Sequence, residues 1–141
     1  MPPLRSVVYV STAIHKFSDA ELEALLTEAR TQNQRSGITG ILLYYDGNFM
    51  QCFEGPEEAV AATYDRIRTS KRHTDVVVLL DEPVAERHFE SWDMGLAHPS
   101  ASELLKLSTA QWKRQASTPN ESALSSPGLW LLQMFWRDAR A

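Results

Sequence analysis

Residues 38–55, ITGILLYYDGNFMQCFEG, constrain the fold of this chain more than any other stretch. Two apolar runs flank Asp46-Gly47, a pair suited to a tight hairpin turn, so the stretch predicts two strands joined there. Side chains alternate along a strand, which puts Phe49, Gln51 and Phe53 on one face and Met50 and Cys52 on the other. Gln51 is then a carboxamide between two phenylalanines. Leaving its donors and acceptor unpaired in a core costs roughly 1–3 kcal/mol. The position therefore needs a polar partner.

The rest of the chain supplies elements around that hairpin. SVVYVST (6–12) is a β-branched apolar run and predicts a first strand. In SDAELEALLTEARTQNQRSG, Ser18 with Glu21 forms a capping-box signature, and Gly37 stands where a glycine ends a helix. Leu22, Leu25, Leu26 and Ala29 fall on one stripe of that helix, and Asn33, four residues further on, lies on the same stripe. Pro56 opens a second helix at its first turn, with Glu57 and Glu58 favoured by the helix dipole. Its inner stripe is Val60, Tyr64 and Ile67. DVVVLLDE (75–82) predicts a fourth strand and WDMGLA (92–97) a short fifth. The order βαββαβ plus one strand implies an α+β, ferredoxin-like sheet with two helices on one face. Beyond it, residues 98–116 are partly helical with Leu104, Leu107 and Trp112 as anchors, 116–128 is linker-like, and LWLLQMFWRDAR predicts a short, very apolar helix.

Composition narrows the function. With 141 residues the chain suits one domain plus a small appendage, and its net charge of −4 argues against binding nucleic acid through phosphates. A single cysteine, Cys52, excludes an internal disulfide framework. No apolar run approaches the length of a membrane span and the N-terminus lacks signal-peptide architecture, so a cytoplasmic protein without a membrane partner is expected. His15, His73, His88 and His98 have no metal-ligand spacing, and no metal site is expected. Glycine-rich nucleotide loops are absent. Two other uses of the ferredoxin-like order also fit poorly. An RNA-recognition module needs strand aromatics in another pattern and a basic surface, and an acylphosphatase-like site needs an arginine-bearing anion loop where VSTAIHKFSD offers only Lys16.

Three polar residues remain on apolar faces: Tyr9 in the first strand, Asn33 in the first helix and Gln51 in the third strand. Each has an ordinary reading. Tyr9 serves as a core aromatic with a paired hydroxyl, Asn33 as a helix-end residue near Gly37, and Gln51 as a strand amide satisfied by a loop. Together they suggest a planar ligand with a polar edge, standing between the two helices and read by amides.

In these residues the sequence resembles the BLUF family of flavin-based blue-light sensors, over roughly residues 4–97. The resemblance rests on Tyr9, ARTQNQRSGITGILLYYDGNFMQCFEG (29–55), RHTDV (72–76) and RHFESWDMGL (87–96). It implies non-covalent FAD, with FMN or riboflavin as alternatives, held between the two helices of a photosensor domain spanning 1–97. By the same resemblance Gln51 sits beside flavin N5 and C4=O, and Tyr9 hydrogen-bonds Gln51 and donates an electron to excited flavin. Asn33 contacts the carbonyl and N3 edge of the ring, and Ile67 packs on it. His73 and Arg72 lie near the ring and the outer part of the cofactor. Trp92 and Met94 couple the signal by exchanging places near the glutamine. Ala29, Gln32 and Ser70 depart from common family choices at the flavin edge.

The resemblance thus implies a photoreceptor rather than an enzyme. Its expected partners are a second copy of itself and a separate downstream protein, with residues 98–141 a helical cap on the sheet face opposite the flavin. A flavin-dependent enzyme would need substrate room beside N5, where Gln51 stands. A cofactor-free interaction module would purify colourless.

Overall fold

A computed structural model describes residues 3–87, 89, 95–97, 99–108 and 132. Its elements are β1 (Leu4–Ala13), α1 (Asp19–Ser36), β2 (Thr39–Tyr45), β3 (Asn48–Pro56), α2 (Glu57–Arg68), β4 (His73–Val84), β5 (Gly95–Ala97) and α3 (Ala101–Ser108). The hairpin between β2 and β3 turns through Asp46 and Gly47, both at positive φ, 45° and 83°. A pair of this kind twists in the sense of the flanking strands, which is why Asp-Gly marks the turn. Asn48 Nδ2 donates to the Tyr45 and Asp46 carbonyls, each at 3.3 Å, and Ala13 N–H donates to Gly47 O at 2.8 Å, tying the turn to β1.

The five strands lie in the order β4-β1-β3-β2-β5. The first four are antiparallel neighbours, and β5 pairs in parallel with β2 through Ile41–Gly95, Leu42–Leu96 and Leu43–Ala97. This is the ferredoxin-like α+β arrangement with an added strand. β1 begins at Leu4 and β4 runs from His73 to Val84, both longer than their apolar runs. The cause is position: β1 lies between β3 and β4, and Leu4 pairs with Pro56 on one side and Val84 on the other. β4 is an edge strand with register shifts against β1, which leaves Val77 and Val78 54% and 40% exposed.

Helix α1 starts at the capping box: Ser18 Oγ accepts from Glu21 N–H at 3.2 Å, and Glu21 Oε1 accepts from Ser18 N–H at 3.0 Å. It ends at Gly37, which takes the left-handed conformation. Pro56 stands at the N-cap of α2 rather than within its first turn, with Glu57 as the first helical residue. Leu22 and Leu26 of α1 and Val60 of α2 pack on Val7, Tyr9, Leu42, Tyr44, Phe49 and Phe53 of the sheet. The inner face of α2 also buries Thr63, while Tyr64 and Ile67 are partly buried. On the opposite sheet face Val8, Ile41, Leu43, Met50, Cys52 and Leu80 are buried.

The chain divides into two units, 1–98 and 99–141. In the second, α3 carries its own capping pair, Ser100 with Glu103, and buries Leu104 and Leu107. Leu132 is helical and buried. Trp112, the 116–128 linker and the rest of the apolar 129–136 segment lie outside the described residues, as do Trp92 and Met94. Among the described residues no helix is long and apolar enough to cross a membrane, and no cluster of potential metal ligands occurs.

Candidate functional site

The two helices do not meet over the whole sheet. Between them lies a cavity of about 460 Å³, within the range of sites for small molecules and cofactors. Leu25, Leu26, Ala29, Gln32 and Asn33 of α1 form one wall, and Thr63, Arg66 and Ile67 of α2 form the other. Tyr9, Leu42, Phe49 and Gln51 make the floor, and residues 69–73 close the end. Tyr9, Asn33, Gln51, Ile67, Arg72 and His73, separated widely in sequence, all line this one space.

The floor carries the most consequential contact. The Tyr9 hydroxyl donates to Gln51 Oε1, both side chains being buried. The two residues are register partners across β1 and β3, so their side chains emerge side by side on the same face. Burial pushes the Tyr9 phenol above its ordinary value, which keeps it protonated. Asn33 combines two roles. Its backbone carbonyl accepts from Gly37 and Ile38 N–H and closes the helix end, and the residue, 3% exposed, also lines the cavity.

His73 is held by the protein on both sides of its ring. Nε2 lies 2.8 Å from the Ile67 carbonyl, which can only accept, so Nε2 bears a proton. Nδ1 lies 2.7 Å from Ser11 Oγ. His73 therefore serves the cavity as a fixed wall, 6.0 Å from the Tyr9 ring and 6.2 Å from Phe49 between centroids. At the rim Arg72 Nη2 meets Glu28 Oε2 at 2.7 Å, Arg66 Nη2 donates to Thr63 Oγ1 at 3.2 Å, and Lys71 adds a further cation. Cys52 points to the other sheet face, and burial first, then the nearby Glu54 charge, raises its thiol pKa. It is not placed to attach a ligand in the cavity.

The family described as sensors of blue-light using FAD matches residues 4–95. The chain belongs to the BLUF family. It is 42% identical over 88 residues to the photoactivated adenylate cyclase subunit alpha of Euglena gracilis, covering 62% of this chain and 9% of that protein. It thus spans about a tenth of the length of the curated relatives it matches. Among solved structures, the dark state of the BLUF protein BlrB superposes with a TM-score of 0.72 at 27% identity, covering 96% of this chain and 98% of that one. BlrP1 of Klebsiella pneumoniae, solved with FMN and cyclic diGMP, gives 0.66 at 29% identity, covering 96% and 35%.

FAD is the BLUF chromophore, and the cavity suits such a group. Leu25, Leu26, Leu42, Phe49 and Ile67 supply flat apolar walls, two buried carboxamides supply polar edge partners, and the rim offers cations for phosphate. Ala29, Gln32 and Ser70, where the sequence departs from common BLUF choices, also line the cavity. Thr63, Arg66 and Ser11 were not singled out by sequence reasoning. Thr63 was findable, because it falls within the spacing of Val60 and Ile67 on the inner face of α2. Ser11 meets His73 from 62 residues away, and no local pattern reveals such a contact.

Proposed function

We propose that this chain is a blue-light photoreceptor whose switch is the Tyr9–Gln51 pair and whose signal leaves through β5. The observation that carries the reading is the Tyr9 hydroxyl directed at Gln51 Oε1 in the floor of a cavity also lined by Asn33. Bound flavin supplies a strong one-electron oxidant when excited by blue light. The rest of the chemistry belongs to the protein. A phenol that loses an electron becomes strongly acidic, and the Tyr9 proton is already in line with Gln51 Oε1. A carboxamide protonated on oxygen can release a proton from nitrogen, which the bound flavin, having taken the electron, would hold until both return. When Tyr9 recovers its electron and proton, the amide is left rotated or tautomeric, with its donor and acceptor pattern changed.

Both amide forms must be satisfied, because an unpaired buried amide costs roughly 1–3 kcal/mol. The neighbours of Gln51 therefore differ between the two states, and the sheet around it becomes a two-state element biased by light. Strand register supports β5 as the outlet: Tyr9, Gln51, Leu42 and Leu96 are paired in turn across β1, β3, β2 and β5. At ordinary strand spacing β5 lies about 10 Å from β3. In this reading Trp92 and Met94, on the approach to β5, exchange places near the glutamine. Asn33 and Ile67 hold the ring, and Arg72 lies beside the outer part of the cofactor. Residues 98–141 serve as the output segment of the 1–97 photosensor, offering a surface to a second copy or to a separate downstream protein.

The test is to load Tyr9→Phe and Gln51→Leu with FAD and illuminate them. In the unaltered protein the changed amide pattern should add a hydrogen bond at the flavin edge and shift its absorption reversibly to the red after blue light. Each variant should retain flavin and lose that red shift. A normal photocycle in Tyr9→Phe would assign electron donation elsewhere.

A further inference from the structure

Alternation along β3 sends Phe49, Gln51 and Phe53 toward the cavity and Met50, Cys52 and Glu54 away from it. Glu54 is fully buried on that far side, at 0% exposure. A carboxylate is expensive to bury unless it is hydrogen-bonded, so its contacts indicate what it holds. Oε1 accepts the backbone N–H of Phe89 at 2.9 Å. The backbone carbonyl of the same residue accepts from Arg87 Nη1 at 3.1 Å, and that nitrogen also donates to Thr39 Oγ1 at 2.9 Å. Thr39 is the register partner of Glu54 across β2 and β3.

Residues 87 and 89 follow the end of β4 at Val84 and precede β5 at Gly95. Neither belongs to a helix or strand; contacts to the Glu54 carboxylate and carbonyl, and to Thr39, hold these two residues against β2 and β3. Phe89 is itself buried at 3% exposure. Glu54 thus stands on the strand that bears Gln51, three positions further along, and grips the chain that becomes β5.

We infer that Glu54 is a positioning residue for signal output: with Arg87 it anchors the lead-in to β5 and sets how readily that strand leaves and regains its dark position. This rests on the light-driven change at Gln51 proposed above. Glu54 does not line the cavity, so its effect is separable from flavin binding and from the spectral shift.

The experiment uses the flavin-loaded full chain with Glu54→Gln, which keeps an oxygen acceptor, and Glu54→Met, which keeps length without one. Hydrogen exchange over residues 85–97 in darkness, the rate of dark recovery after a blue pulse, and the size of the red shift are measured on each. Glu54→Met should exchange about tenfold faster or more over this stretch and change the recovery rate several-fold, with the red shift unaltered. Glu54→Gln should behave as the unaltered protein. Wild-type exchange in Glu54→Met overturns the anchor, and faster exchange with unchanged recovery overturns the coupling to output. Should Glu54→Met fail to fold, Arg87→Met carries the same expectations and the same refutations. Absence of a red shift in the unaltered protein would instead sink the photosensing reading, and the dark exchange result would still judge the anchor.

Discussion

Replacing Tyr9 by Phe removes one oxygen from a site where Tyr9 is 4% and Gln51 9% exposed. The ring volume stays, so the change isolates the hydrogen bond to Gln51 Oε1. Taking the donor from a buried acceptor costs about 1–3 kcal/mol, and Gln51→Leu, which strands the phenol instead, should cost a similar amount. With both partners made apolar, neither polar group remains to be left unpaired, and the double variant should be far less destabilised than the sum of the singles. The expected coupling is about 1–3 kcal/mol. Urea unfolding of the four proteins without flavin measures it, since bound ligand would add its own linkage to each midpoint. Single costs that sum to the double within roughly 0.5 kcal/mol would mean that the two side chains do not form an energetic unit. The switch would then lose its structural basis.

Ser18→Ala removes the capping hydroxyl of α1 and should lower stability by about 0.5–2 kcal/mol in thermal unfolding, while the light-induced spectral shift stays unchanged. Asn33→Ala removes one edge partner and should weaken FAD binding roughly two- to tenfold in a fluorescence titration; an unchanged affinity would remove Asn33 from the cofactor contacts. Because burial raises the Tyr9 phenol above its ordinary 10.0, its contribution to stability is whole below that value and falls as pH rises beyond it. Urea midpoints followed from about pH 8 to 11 should therefore decline less steeply in Tyr9→Phe than in the unaltered protein, and equal slopes would contradict the burial argument.

The hairpin and the ends of α1 were legible because single residues there obey strong local rules: Asp46-Gly47 at positive φ, Ser18 with Glu21, and Gly37 after Ser36. The polar floor and wall of the cavity were legible for the opposite reason. Gln51 and Asn33 break the apolar pattern of their own faces, and a broken pattern marks a position with another purpose. Strand ends were less visible, since pairing on both sides of β1 carries it to Leu4 beyond its apolar run. The fixing of His73 depends on Ser11 from a distant strand and on a backbone carbonyl, neither of which has a sequence signature. Glu54 lies within the predicted hairpin stretch 38–55 with no local sign of a role; the Phe89 N–H that its carboxylate accepts comes from 35 residues further along the chain.

The absorption spectrum of the FAD-loaded protein before and after blue light bears most directly on the account. A Tyr9–Gln51 switch predicts flavin bands that move slightly to the red on illumination and return in darkness. A loaded protein whose bands bleach, or stay where they were, would contradict it.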